Sequence, residues 1–173
     1  EVGIEPDRCT PGDRHAVELA DELGLLVWEE IPVYWEIDWE SPVALECATN
    51  QLRELILRDR NRASVVFWSL ANETLPKPAR LEFLRSLAQT ARALDPTRLV
   101  EDNSPCCGGG HVKTDLNSWH MYLPGWKWKA TLDEAEAKTF PGSTWNFVGG
   151  REQGEEPMLN SECGNVWGYE GST

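Results

Sequence analysis

Basic residues are scarce in this chain: 16 Lys and Arg stand against 29 Asp and Glu, a formal charge of −13. That balance argues against a nucleic-acid partner, whose phosphates would be repelled, and against an anionic membrane surface. No apolar run is long enough to span a bilayer. Cysteines follow no pairing pattern. There are five, an odd number; Cys106 and Cys107 are adjacent, and no CxxC occurs, so neither a disulfide framework nor a structural zinc site is expected. The three histidines, His15, His111 and His120, are scattered, and no metal site is expected from them. A glycine-rich phosphate loop is also missing. Phenylalanine occurs only four times, whereas tryptophan occurs nine times. Flat indole faces in such excess favour a ligand with sugar rings to stack on them. With 173 residues and 40% hydrophobic content, the chain can bury one sizeable core.

What the chain does have is alternation. Residues 13–23 carry Ala16, Leu19, Ala20 and Leu23 at helical spacing, and Gly24 stops that helix. Leu25-Leu26-Val27-Trp28 follows as a strand, ending in Glu29-Glu30-Ile31-Pro32. Ser41 can cap and Pro42 begin a second helix with the stripe Leu45, Ala48, Leu52, Leu55 and Ile56. Its charged face, with Arg53, Arg58, Asp59 and Arg60, is expected to be solvated. The uninterrupted apolar run from Val65 reads as a strand buried on both faces, as in parallel sheets. A helix over residues 79–94 turns Leu81, Leu84, Leu87, Ala88 and Ala91 inward, and Asp95-Pro96 ends it. Strands are expected at 98–102, 116–122 and 158–161, with a short helix at 131–138 and long loops at 103–110 and 140–156. Strands separated by helices imply α/β architecture with a parallel sheet and outer helices. They recur roughly every forty residues, close to one unit of a (β/α)8 TIM barrel. Five of eight strands are visible, so the expectation is a partial barrel, roughly strands 3 to 7. Glu1 opens in mid-phrase without methionine, and the chain is read as a fragment of a single barrel domain. The rival fold, an open doubly wound sheet, would bring the phosphate loop that is missing here.

Two glutamates close apolar runs: Glu73 ends Val65-Val66-Phe67-Trp68-Ser69-Leu70-Ala71-Asn72-Glu73, and Glu162 ends Met158-Leu159-Asn160-Ser161-Glu162. Ligands and chemistry gather at the carboxyl ends of parallel strands. Two carboxyls meeting there suit glycosidic cleavage, one protonating the leaving oxygen and the other attacking or activating water. Taken singly, Asn72-Glu73 reads as a polar strand end and Ser161-Glu162 as a common one; the pair carries the inference. His120 either lines the pocket or is a satisfied structural histidine. Trp35, Trp126, Trp128, Trp145 and Trp167 fall in candidate top-face loops, where one or two would stack on sugar. Cys163 has no evident histidine base and reads as a small buried hydrophobe.

Leu19-Ala20-Asp21-Glu22-Leu23-Gly24-Leu25-Leu26-Val27-Trp28-Glu29-Glu30-Ile31-Pro32 resembles the third-strand signature of glycoside hydrolase family 2. The run from Arg58 through Asp59-Arg60-Asn61-Arg62-Ala63-Ser64 to Glu73 is similar to that family's fourth-strand signature. Asn160-Ser161-Glu162-Cys163-Gly164 falls where its seventh strand should end. The resemblance implies a retaining exo-β-glycosidase of the β-galactosidase, β-glucuronidase and β-mannosidase kind, cutting a terminal β-galactoside or β-glucuronide. It implies that Glu73 is the general acid/base and Glu162 the nucleophile. Tyr122 matches the tyrosine that hydrogen-bonds the nucleophile, and Asn72 the asparagine that holds the sugar 2-hydroxyl. It further implies β-sandwich domains upstream, a carbohydrate as partner, no cofactor for the chemistry, and possible homo-oligomers of the full-length parent. The acid should have a raised pKa, supplied by an apolar wall and a negative neighbour. One departure stands out: Arg8-Cys9-Thr10-Pro11 occupies the place of the family's Ser-His-Tyr-Pro run. An endo-β-glucanase or mannanase on the same barrel, and a catalytically silent carbohydrate-binding domain, are the alternatives.

Overall fold

In a computed structural model the chain is described over residues 14–106, 108–123 and 125–163. The elements run α1 (Arg14–Leu23), β1 (Val27–Glu30), α2 (Pro42–Asp59), β2 (Val65–Ser69), α3 (Pro78–Leu94), β3 (Leu99–Glu101), β4 (Asn117–Met121), α4 (Gly125–Lys138) and β5 (Met158–Cys163). Arg8-Cys9-Thr10-Pro11, Cys107 and Trp167 lie outside the described residues. Strands β1, β2 and β3 pair in that order, all parallel, and β4 pairs parallel with β5. Between β3 and β4 the ladder is interrupted, and single backbone bonds bridge the gap: Asp115 N–H to Val100 O at 2.9 Å and His120 N–H to Pro105 O at 3.1 Å. The result is a partial barrel, an arc of parallel strands with helices outside.

Helix α2 begins as its sequence dictates. Ser41 is the N-cap, its hydroxyl accepting from the Ala44 N–H at 3.2 Å, and Pro42 starts the helix. Ala48, Leu52, Leu55 and Ile56 of α2 then join Leu84, Leu87, Ala88 and Ala91 of α3 against Val65, Trp68, Leu70 and Ala71 in one core. Truncating a fully buried leucine there, Leu52→Ala for instance, costs about 2–5 kcal/mol. Trp68 is anchored as well as packed, its indole N–H donating to Asp95 at 2.9 Å just beyond the end of α3.

Four local expectations are corrected. Asp59 is fully buried, not solvated; it pairs with Arg58 at 2.5 Å, and Arg58 reaches Glu29 at 3.3 Å. The end of α2 therefore meets the end of β1 through charge, and burial together with Asp59's charge pushes Glu29 up to about 7. Helix α1 buries Val17 and Ala20 while Leu19 and Leu23 stay exposed, because it packs at one edge of the arc. Cys163 is exposed, since β5 is the edge strand of its sheet among the described residues. Finally, α4 spans Gly125–Lys138, longer than the expected 131–138, and Trp128 secures its start by donating to Leu123 O at 2.8 Å.

Candidate active site

The chain stays extended beyond β2, through single parallel bridges from Asn72 to Tyr34 and to Ser104. Asn72 N–H donates to Val33 O at 2.8 Å, and Glu73 N–H to Ser104 O at 2.9 Å. The backbone then turns sharply. Glu73 has φ 50° and Trp35 has φ 55°, left-handed values that cost a non-glycine residue about 1–3 kcal/mol. The surroundings enforce this conformation. Thr74 donates through its amide and its hydroxyl to Asn103 Oδ1, at 3.1 and 2.6 Å. Arg80, fully buried, donates to Thr74 Oγ1 at 2.6 Å and to Gly110 O at 2.8 Å. Gly109 lies so close that an added Cβ would sit 2.3 Å from Thr74 O. Glu73 is thus fixed at the carboxyl end of the strands by a rigid brace.

Four side chains converge on it. His120 Nδ1 lies 2.7 Å from Glu73 Oε1, and His120 Nε2 lies 3.6 Å from Glu162 Oε2. The Tyr122 hydroxyl makes a very short hydrogen bond to Glu162 Oε1 and stands 3.3 Å from Glu73 Oε1. Trp35 donates its indole N–H to Glu73 Oε2 at 3.1 Å. Glu73, His120 and Glu162 each offer an atom within 4.8 Å of the others. That closeness would also suit a cation, but hydrogen bonding among these groups and Tyr122 already accounts for it. Asn72, Glu162 and His120 line a cavity of about 310 Å³ together with Trp28, Glu30, Ser104 and Ser161.

Burial works to raise the pKa of Glu73, but hydrogen bonds from His120 and Trp35 and the charge of His120 outweigh it. Its carboxyl sits below the usual range, contrary to the raised value expected of an acid. Tyr122 is pushed upward by burial and by its bond to Glu162, so it remains a protonated donor.

A family model described as "Glycosyl hydrolases family 2, TIM barrel domain" matches residues 2–165. The chain belongs to this family. A β-galactosidase from Thermoanaerobacterium thermosulfurigenes is 37% identical over 92 residues, 51% of this chain and 12% of that protein. A β-glucuronidase from Paenibacillus borealis is 36% identical over 102 residues, 52% of this chain and 17% of that protein. The chain thus spans less than a fifth of these relatives' length. The solved structure of a family 2 β-galacturonidase from Eisenbergiella tayi, bound to galacturonate, superposes with a TM-score of 0.73. It covers 94% of this chain and 30% of its own, at 22% identity, a likeness of fold.

On this family 2 barrel arc, Glu73, Glu162, His120, Tyr122 and Trp35 are joined by contacts, and Asn72 lines the cavity beside Glu162. Of the remaining described tryptophans named above, Trp126 and Trp128 belong to the first turn of α4, whereas Trp145 packs edge-on against Trp119 at 5.9 Å and lines a second cavity, of about 360 Å³, together with His120 and Tyr122. Glu30 is the lining residue the sequence reading passed over. The signal was available, since successive strand residues point to opposite faces, so of the pair Glu29-Glu30 one must face inward.

Proposed function

We propose that this chain is the catalytic-barrel part of a retaining exo-β-glycosidase, acting on terminal β-galactosides or β-glucuronides, within a longer protein that supplies the remaining strands and β-sandwich domains. The observation that supports this reading most is the approach of two strand-end carboxyls, with oxygens of Glu73 and Glu162 within 4.8 Å. Double displacement needs carboxyls about 5–5.5 Å apart, whereas inversion needs about 6.5–9.5 Å to admit a water. The short approach favours retention.

In this reading Glu162 is the nucleophile. Tyr122 donates to one of its oxygens, leaving the other to attack the anomeric carbon. Glu73 protonates the departing glycosidic oxygen and later takes a proton from the water that releases the sugar. Its lowered pKa calls for an explanation, and His120 supplies one. His120 Nδ1, 2.7 Å from Glu73 Oε1, keeps a hydrogen bond to the carboxyl and orients it toward the leaving oxygen. Burial already works to raise Glu73, and exclusion of water by a bound sugar strengthens that pull toward the protonated acid. Asn72 is placed to hold the 2-hydroxyl, a contact that strengthens at the transition state. This chemistry needs no cofactor. Proton NMR of the first product formed by the full-length protein from an aryl β-glycoside tests the reading. The β-anomer should appear first, and initial α-anomer would exclude double displacement.

A further inference from the structure

Below the two proposed catalytic carboxyls lies a chain of groups that the mechanism above leaves idle. Glu30, the last residue of β1, lines the same cavity as Glu162, His120 and Asn72. Its Oε2 is 2.7 Å from the Ser69 hydroxyl at the end of β2. That hydroxyl is also 3.0 Å from Glu101 Oε2 at the end of β3. Ser69 and Glu101 have no exposed surface. Ser104 lies 3.1 Å from the other oxygen of Glu101, and Ser118 makes a very short bond to that same atom. Next along the chain, Asp102 is ionised: His111 meets it at 2.8 Å, and the amides of Val112 and Lys113 donate to it.

Proton counting decides what this chain of groups can be. A serine hydroxyl has one proton to give, yet Ser69 stands within hydrogen-bond distance of two carboxyl oxygens. Were both acids ionised, one of those contacts would set oxygen against oxygen with no hydrogen between them; Glu30 opens onto the cavity, but Ser69 and Glu101 are sealed from water. A buried acceptor left in that state is costly. A second proton therefore belongs to the trio. Burial raises both acids, but Glu101 is fully buried and is pushed up to about 7, with the charge of Asp102 adding to the effect. Glu30 opens onto the cavity and has the Ser69 hydrogen bond to hold its charge, so the proton is placed on Glu101. Glu101 then donates to the Ser69 oxygen, and Ser69 donates to ionised Glu30.

We propose that Glu30 is a third working carboxyl of the site: a positioning residue that sets the charge balance at Glu162, and that shares one proton with Glu101 through Ser69. This rests on reading Glu162 as the nucleophile. The groups facing Glu30 are Ser69 from β2, Glu101 beyond it on β3, His120 from β4 and Glu162 from β5. Glu29, Arg58 and Asp59 form their own cluster at the ends of β1 and α2. Negative Glu30 opposes the charge of Glu162, an opposition relieved when Glu162 becomes a neutral ester in the glycosyl-enzyme. It also favours the positive charge that develops on the sugar ring. If the pocket becomes too negative, Ser69 passes its proton to Glu30 as Glu101 gives its own to Ser69, and no net proton is gained or lost.

The test uses the full-length protein and the pH dependence of kcat/KM on an aryl β-glycoside. Glu30→Gln removes a negative charge from the pocket, so the acid limb should move to lower pH by about half a unit to one unit. Ser69→Ala, which removes the hydrogen bond that holds Glu30 ionised, should move that limb the same way, and Ser69→Thr, which keeps the hydroxyl, should restore it. An acid limb that stays in place in folded Glu30→Gln would overturn the proposal. So would a limb unmoved in Ser69→Ala, which serves equally if Glu30→Gln does not fold. Wild-type turnover by Glu162→Ala would instead overturn the underlying assignment of the nucleophile.

Discussion

Replacing Trp35 with phenylalanine keeps an aromatic ring over the site and removes a single hydrogen bond, from Nε1 to Glu73 Oε2 at 3.1 Å. A bond to an ionised partner is worth about 1.5–3 kcal/mol when water is excluded. Trp35 is 54% exposed, so water replaces much of that bond, and about 0.7–1.4 kcal/mol is a fitting allowance. At about 1.36 kcal/mol per unit, the pKa of Glu73 should change by roughly 0.5–1 unit. The indole stabilises the ionised carboxylate, so its removal raises the pKa. A general acid with a raised pKa keeps its proton to higher pH. The basic limb of kcat/KM, measured with an aryl β-glycoside on the full-length protein, should therefore move upward in Trp35→Phe. A rise in KM with the limb unmoved would mean that Trp35 acts on substrate alone. A downward shift would refute the reasoning outright.

Three further outcomes follow from the same contacts. Asn72→Ala should lower kcat/KM about 10²–10³-fold on a glycoside with a free 2-hydroxyl and far less on its 2-deoxy analogue, since a transition-state contact worth several kcal/mol exists only in the first case; equal losses on both substrates would deny Asn72 that role. Gly109→Ala should destabilise the protein by about 1–3 kcal/mol in thermal unfolding and sharply reduce turnover, because its Cβ would press on the backbone next to Glu73. Asp95 resists the upward pull of burial through bonds from Thr97, Trp68 and Arg98, which hold it at about 2. Its stabilisation is fully present above the ordinary value near 3.8 and is lost as pH falls through about 2, so Asp95→Asn should cost about 2 kcal/mol at neutral pH, a gap that closes between roughly pH 4 and pH 2.

The parts of this molecule that were legible in its sequence are those governed by local period. The stripe on α2, its Ser41-Pro42 start and the Asp95-Pro96 stop depend on residues a few positions apart. Strand ends were legible for the same reason, which is why Glu73 and Glu162 could be picked out. What local pattern could not carry is which strand end meets which. Asp59 looked like helix surface because nothing in α2 reveals that Glu29, 30 residues earlier, lies beside Arg58. The depressed pKa of Glu73 depends on Trp35 and His120, 38 and 47 residues away. Cys163 was misjudged because burial on an edge strand is set by what packs outside it. The interruption between β3 and β4 is likewise a matter of register between loops, which the apolar pattern does not encode.

The central assignment, Glu73 as acid/base and Glu162 as nucleophile, is tested most directly by the products that azide forms with the two alanine variants of the full-length protein. Azide added to Glu162→Ala should occupy the space of the missing nucleophile, restore turnover of an aryl β-glycoside and yield the α-glycosyl azide. With Glu73→Ala and a leaving group that needs no protonation, azide should attack the glycosyl-enzyme and yield the β-glycosyl azide. Exchange of the two products between the variants would reverse the roles, and wild-type activity in both would contradict the glycosidase account itself.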